Sequence, residues 1–131
     1  MKHVLLSAIS FAAFVTLFSS GISRAEVRTQ EVPYEQGGAR LGGYLAYDGA
    51  VTGPRPAVLV VHEWWGLNDY AKRRTRQLAE LGYVAFAADI YGDGTVAKDA
   101  KEAGALAGRF RGGGRALLRE RVRAGLEALP N

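Results

Sequence analysis

The residues best placed to do chemistry are His62 and Glu63, which follow directly on the apolar run Ala57–Val61 and lead into Trp64-Trp65-Gly66-Leu67. An acid that ends a buried strand seldom stands without a partner, because removing a carboxylate from water is costly unless it is paired. Glu63 is therefore expected either to contact a reacting group or to be held by amides of its own turn. His62 is the single histidine after residue 25. As a general base it would need a nucleophile within about 3 Å and an orienting acid beyond the ring, yet along extended backbone Glu63 points to the opposite side. His62 reads instead as a satisfied structural histidine. Trp64 and Trp65 have the apolar area to wall a pocket, or equally to pack in the core.

The nucleophiles are conspicuous by their position. Ser7, Ser10, Ser19, Ser20 and Ser23 all precede residue 26, and the chain has no cysteine. Residues 26–131 thus offer only Thr29, Thr52, Thr75 and Thr95, none of them on a sharp strand-to-helix turn. Without thiols there are neither disulfides nor soft-metal ligands. Asp89-x-Tyr91-x-Asp93-Gly94 is not a calcium loop, since Tyr91 stands third and Ala100 twelfth. Gly108–Gly114 is not a phosphate loop, since it lacks the Gly-Lys-Ser/Thr ending and follows a helix. The arginines between Arg109 and Arg123 read as the solvated face of an amphipathic helix. Binding of an anionic polymer there is the competing reading, marked by a steep salt dependence.

The elements that must position these residues can be read from periodicity. Ala57–Val61 is continuous and rich in β-branched residues, as expected of a central parallel strand covered on both faces. In open α/β sheets ligands gather at the carboxyl ends of such strands. Before it, Val27–Tyr34 reads as an edge strand and Ala39–Tyr47 as its partner, with Gly37-Gly38 supplying the hairpin turn. After it, Asn68 or Asp69 caps a helix to about Leu81, whose inner face carries Leu67, Ala71, Leu78 and Leu81 and which Gly82 ends. Tyr83–Ala88 is a second buried strand ending at Asp89 and completes a right-handed βαβ unit. Further helices are expected over Ala97–Ala107 and, from the spacing of Leu118, Val122, Leu126 and Leu129, over Arg115–Leu129. The fold class is α/β.

Residues 1–25 have the layout of a secretory signal: Lys2 and His3, the uncharged run Val4–Phe18, and Ser23-Arg24-Ala25. The apolar run is shorter than the roughly 20 residues of a membrane helix, so cleavage after Ala25 and a secreted or periplasmic location are expected, an uncleaved anchor being the alternative. Residues 26–131 then carry 15 basic and 13 acidic side chains. That balance argues against a dedicated nucleic-acid binder, and nothing beyond the signal holds the chain to a membrane.

The sequence His62-Glu63-Trp64-Trp65-Gly66-Leu67 resembles the dienelactone hydrolase family of α/β-hydrolases, in which a buried strand enters a turn of this kind. The resemblance extends through Leu78–Ala85, Asp89-Ile90-Tyr91-Gly92 and Glu102–Ala107 to the final helix, nearly all of residues 26–131. It implies an α/β-hydrolase-like fold, here the amino-terminal part of a mostly parallel sheet with flanking helices and preceded by a β-hairpin. It also implies hydrolysis of an ester, lactone or similar small acyl substrate with neither metal nor organic cofactor. Glu63 would be the buried carboxylate that contacts the nucleophile, the Trp64 backbone N–H half of the oxyanion hole, and Trp65 part of the substrate wall. The second oxyanion donor of this fold follows the nucleophile on its elbow. Elbow, acid and catalytic histidine are all absent from residues 26–131, so the chain reads as an incomplete domain. Such a half sheet is expected to be marginally folded or to self-associate through its open edge. The alternative is a non-catalytic secreted binding or interaction module on the same fold.

Overall fold

A computed structural model describes residues 24–130; the signal reading falls on residues that lie almost wholly outside this range. Strands β1 (Val27–Gln36) and β2 (Ala39–Asp48) form a hairpin paired from Val27↔Asp48 to Gln36↔Ala39. Gly37 and Gly38 turn it with φ of +58° and +77°, a pair of left-handed residues that matches the strand twist. The chain continues through β3 (Ala57–Val61), α1 (Asp69–Glu80), β4 (Val84–Ala88), α2 (Ala100–Arg111), a 3-10 turn (Gly113–Arg115) and α3 (Ala116–Ala128).

The strands form one sheet in the order β1-β2-β4-β3. Only β3 and β4 are parallel; β2 pairs with both β1 and β4 in antiparallel fashion. The sheet is thus mixed rather than mostly parallel over the described residues, because the hairpin contributes two of its three pairings. The centre belongs to β4, whose Ala85, Phe86, Ala87 and Ala88 are fully buried. By contrast β3, expected to be a central strand, lies at the sheet edge with Ala57 and Val61 exposed. Its pattern is that of an interior strand, but β4 covers only one of its edges among the described residues.

Short side chains in β4 let helices approach on both faces. Ala87 packs with Tyr44, Ala46, Leu67, Ala71 and Ala79 on the α1 side. Ala88 packs with Phe110, Leu59, Leu118 and Val122 on the side of α2 and α3. A Cβ on Gly125 would stand 2.7 Å from the Ala88 Cβ, so glycine is what allows α3 to sit this close. On α1, Asn68 caps by accepting from the Ala71 N–H at 3.1 Å. Its buried positions are Ala71, Thr75 and Ala79, whereas Leu81, expected inside, is 73% exposed. The helix has already ended at Leu81, and Gly82 turns the chain away with φ of +93°.

Helix α2 begins later than the periodicity predicts and runs through Gly108 to Arg111. Its start is set by two side-chain caps: Asp99 accepts from the Glu102 N–H at 2.8 Å, and the Glu102 carboxylate accepts from the Lys98 N–H at 2.8 Å. Among the described residues no helix is long and apolar enough to cross a membrane.

Candidate active-site turn

The turn after β3 is fastened to the loop after β4. The Ile90 N–H donates to His62 Nε2 at 3.2 Å, which leaves the ring proton on Nδ1, 2.6 Å from the Glu63 carbonyl oxygen. Both ring nitrogens are used, and burial lowers the pKa of the imidazole, so the ring is neutral and structural as its sequence context implies. Its edge meets the Tyr91 ring at 4.8 Å. Tyr91 then donates its hydroxyl to the Trp64 carbonyl at 2.9 Å. Gly66, with φ of +94°, closes the turn through its N–H to the Glu63 carbonyl at 3.2 Å. The Trp65 carbonyl accepts from the Ala97 N–H at 2.9 Å. Glycine is required at 66 for a second reason: a Cβ there would lie 2.3 Å from the Thr95 carbonyl oxygen.

These contacts hold the backbone of residues 62–66 while leaving two groups uncommitted. The Trp64 N–H donates to nothing among the described residues. Glu63 is exposed among the described residues, where the resemblance implies a buried carboxylate in contact with the nucleophile. The backbone carbonyl of Glu63 is the part engaged within the turn, by the His62 ring and the Gly66 N–H. Glu63 borders two small cavities. One, of about 210 Å³, is lined by Trp64, Tyr91 and Phe110 among others; the other, of about 160 Å³, by Trp65, Tyr70 and Arg74. The two indoles meet edge to face at 5.2 Å, so each tryptophan walls a different side of the turn.

No threonine is available as a nucleophile at this turn. Thr75 donates to the Ala71 carbonyl at 2.8 Å inside α1, and Thr95 to the Gly92 carbonyl at 2.7 Å. Among the described residues no three His, Asp or Glu side chains come together as a metal site.

Two residues matter more than their sequence context suggests. Asp89 is fully buried, and its carboxylate accepts from the backbone N–H groups of Gly92 at 2.9 Å, Gly94 at 3.1 Å and Gly42 at 3.2 Å. It shapes the loop that carries Ile90 and Tyr91 to His62 and Trp64. The signal was present, an acid ending an apolar run with glycines three and five residues on. Its partner Gly42, however, is distant in sequence. The Asp89 N–H donates to the Tyr34 hydroxyl at 3.1 Å, and burial pushes the Tyr34 pKa up to about 12.

Arg121 is the other. It was expected on a solvated helix face, but it is 4% exposed, because α3 turns it toward the sheet and the loop at Gly92. Its Nε and Nη1 have no hydrogen-bond partner among the described residues.

Comparison with known proteins agrees with this geometry. Residues 41–129 match the model of the dienelactone hydrolase family. A crystal structure of a dienelactone hydrolase-like promiscuous phosphotriesterase from metagenomic libraries superposes with a TM-score of 0.74 at 42% identity, over 79% of this chain and 42% of that one. Several relatives carry the name carboxymethylenebutenolidase. That of Aquifex aeolicus is 41% identical over 80 residues, which is 59% of this chain and 33% of the relative. That of Saccharolobus solfataricus is 42% identical over 62 residues, 47% of this chain and 23% of the relative. The chain thus spans less than half the length of each. The family match runs from within β2 to just past the end of α3 and includes the turn after β3, and the chain belongs to the dienelactone hydrolase family.

Proposed function

We propose that this chain contributes a carboxylate that contacts the nucleophile and one oxyanion donor to the hydrolysis of an ester, lactone or similar small acyl substrate. The observation that carries this reading is the uncommitted Trp64 N–H at the carboxyl end of β3, on a turn pinned by His62, Tyr91 and Gly66. A donor fixed before the reaction stabilises developing negative charge without having to reorganise. Glu63 contacts the nucleophile in the resting enzyme, and Trp65 walls the substrate. The nucleophile, its acid and its histidine are not among residues 26–131, so turnover needs a carboxyl-terminal part carrying a Ser or Cys elbow. The chain is in this reading the amino-terminal part of a secreted or periplasmic enzyme. In a protein with the complete domain, Glu63→Ala lowers kcat/KM for p-nitrophenyl acetate or changes its pH profile. Unchanged kinetics and an unchanged profile would defeat the assignment.

A second reading is favoured by the absence of serine and cysteine from residues 26–131 together with the two cavities beside the turn. Alone, the 131-residue chain is then a binding or interaction module. It binds a small apolar acyl compound, or completes its sheet along the open edge of β3, without turnover.

A further inference from the structure

We propose a second binding site, for a carboxylate with an apolar body, at the opposite end of β3 from the His62–Trp65 turn. A pocket of about 580 Å³ opens there, lined by Leu45, Tyr47, Pro54, Arg55, Ala57 and Val84 among others. Ala57 is the first residue of β3 and pairs with Val84, the first of β4. The pocket therefore lies at the amino-terminal ends of the parallel strands, a strand length from Glu63. It is within the usual size range of small-molecule sites, and its walls are mainly apolar, as such sites require.

The charge in it belongs to Arg55. Nη1 donates to the Asp48 carbonyl at 2.7 Å, and the guanidinium carbon sits 5.7 Å from the centre of the Tyr47 ring. Those two contacts fix the plane of the group. Its Nε is buried and has no hydrogen-bond partner among the described residues. A guanidinium offers Nε–H and the neighbouring Nη2–H as a fork matched to two carboxylate oxygens. With Nη1 turned to Asp48, that is the edge left to a ligand. Leaving a buried donor unpaired is costly, and no acid of the described chain meets it. Oδ1 of Asp48 accepts from the N–H groups of Glu26 and Ala50, and the ion pairs among the described residues join Arg28, Arg40 and Lys72 to Glu26, Asp93 and Glu31. One fixed cation beside aromatic and aliphatic walls selects an aromatic or short aliphatic monocarboxylate. The inference does not depend on the hydrolase reading.

The test uses the full chain and sodium benzoate, with benzamide as the neutral control of the same shape. NMR titration should show saturable shifts at the Tyr47 ring and the methyl groups of Ala57, Leu45 and Val84, with a Kd of about 1 mM or tighter. Benzamide should bind roughly tenfold or more weakly, and Arg55→Gln should weaken benzoate by a similar factor. Shifts centred on His62–Trp65, equal affinity for benzamide, or undiminished binding by a folded Arg55→Gln variant would each overturn the proposal. Should that variant not fold, the shift map and the benzoate-to-benzamide ratio on the unaltered chain decide.

Discussion

At the scale of single residues the turn depends on groups that accept and donate in one direction only. His62 must stay neutral, since a proton on Nε2 would face the Ile90 N–H. Its pKa is lowered by burial from the ordinary 6.5, so the unfolded chain takes up the proton first as pH falls. The stability it confers is complete above about pH 7 and is lost as pH drops below 6.5 toward the folded-state value. Thermal melts across this range should show a decline that is smaller in His62→Gln; identical slopes would remove His62 as its cause. Asp89 is the more sensitive position. In Asp89→Asn one acceptor becomes an NH₂ group facing backbone donors, and the expected loss is about 3 kcal/mol, read by urea unfolding. A loss under about 1 kcal/mol would mean that the loop has other supports. Glu63 behaves differently: its carboxylate is exposed, so its removal should alter reaction kinetics in a complete domain and leave stability nearly unchanged.

At the scale of elements the fold rests on how closely helices approach the alanines of β4. Gly125→Ala places a methyl 2.7 Å from the Ala88 Cβ, where only a shift of α3 relieves it. A destabilisation of about 1–3 kcal/mol is expected. Gly104→Ala on α2 is the matched control, because nothing lies within 4 Å of its Cβ. There the helix-forming tendency of alanine should add about 0.5–1 kcal/mol of stability. Opposite signs in the two melts support the packing account, and a loss at both would contradict it. Helix α1 shows a related economy of space. Lys72 and Arg76 reach over the sheet to the Tyr44 ring and its hydroxyl, and Lys72 also pairs with Glu31 at 2.8 Å. Lys72, a cation near the start of the helix where it opposes the dipole, is thus partly compensated by the strands beneath it.

At the scale of the whole molecule one edge of β3 is unpaired among the described residues. Val61 is 45% exposed there, and Leu126 on α3 is 60% exposed. An uncovered apolar strand edge is a template for pairing. Sedimentation of the 131-residue chain should show concentration-dependent association that Val61→Lys reduces; a monomer with a cooperative thermal transition would contradict this expectation. Much of this organisation was legible beforehand. The Gly37-Gly38 hairpin, the Asn68 cap, the Gly82 stop, the parallel βαβ unit and the family turn at His62 all follow from local backbone preferences or short motifs, which act within a few residues and leave their mark in sequence order. What only the tertiary structure decided depends on partners distant along the chain. The antiparallel pairing of β2 with β4, the burial of Arg121, the grip of Asp89 on Gly42, the exposure of Glu63 and the unpaired Nε of Arg55 are of this kind. Periodicity tells which face of an element is apolar, but which element covers that face, and which polar groups the cover leaves without a partner, is settled only when the layers meet.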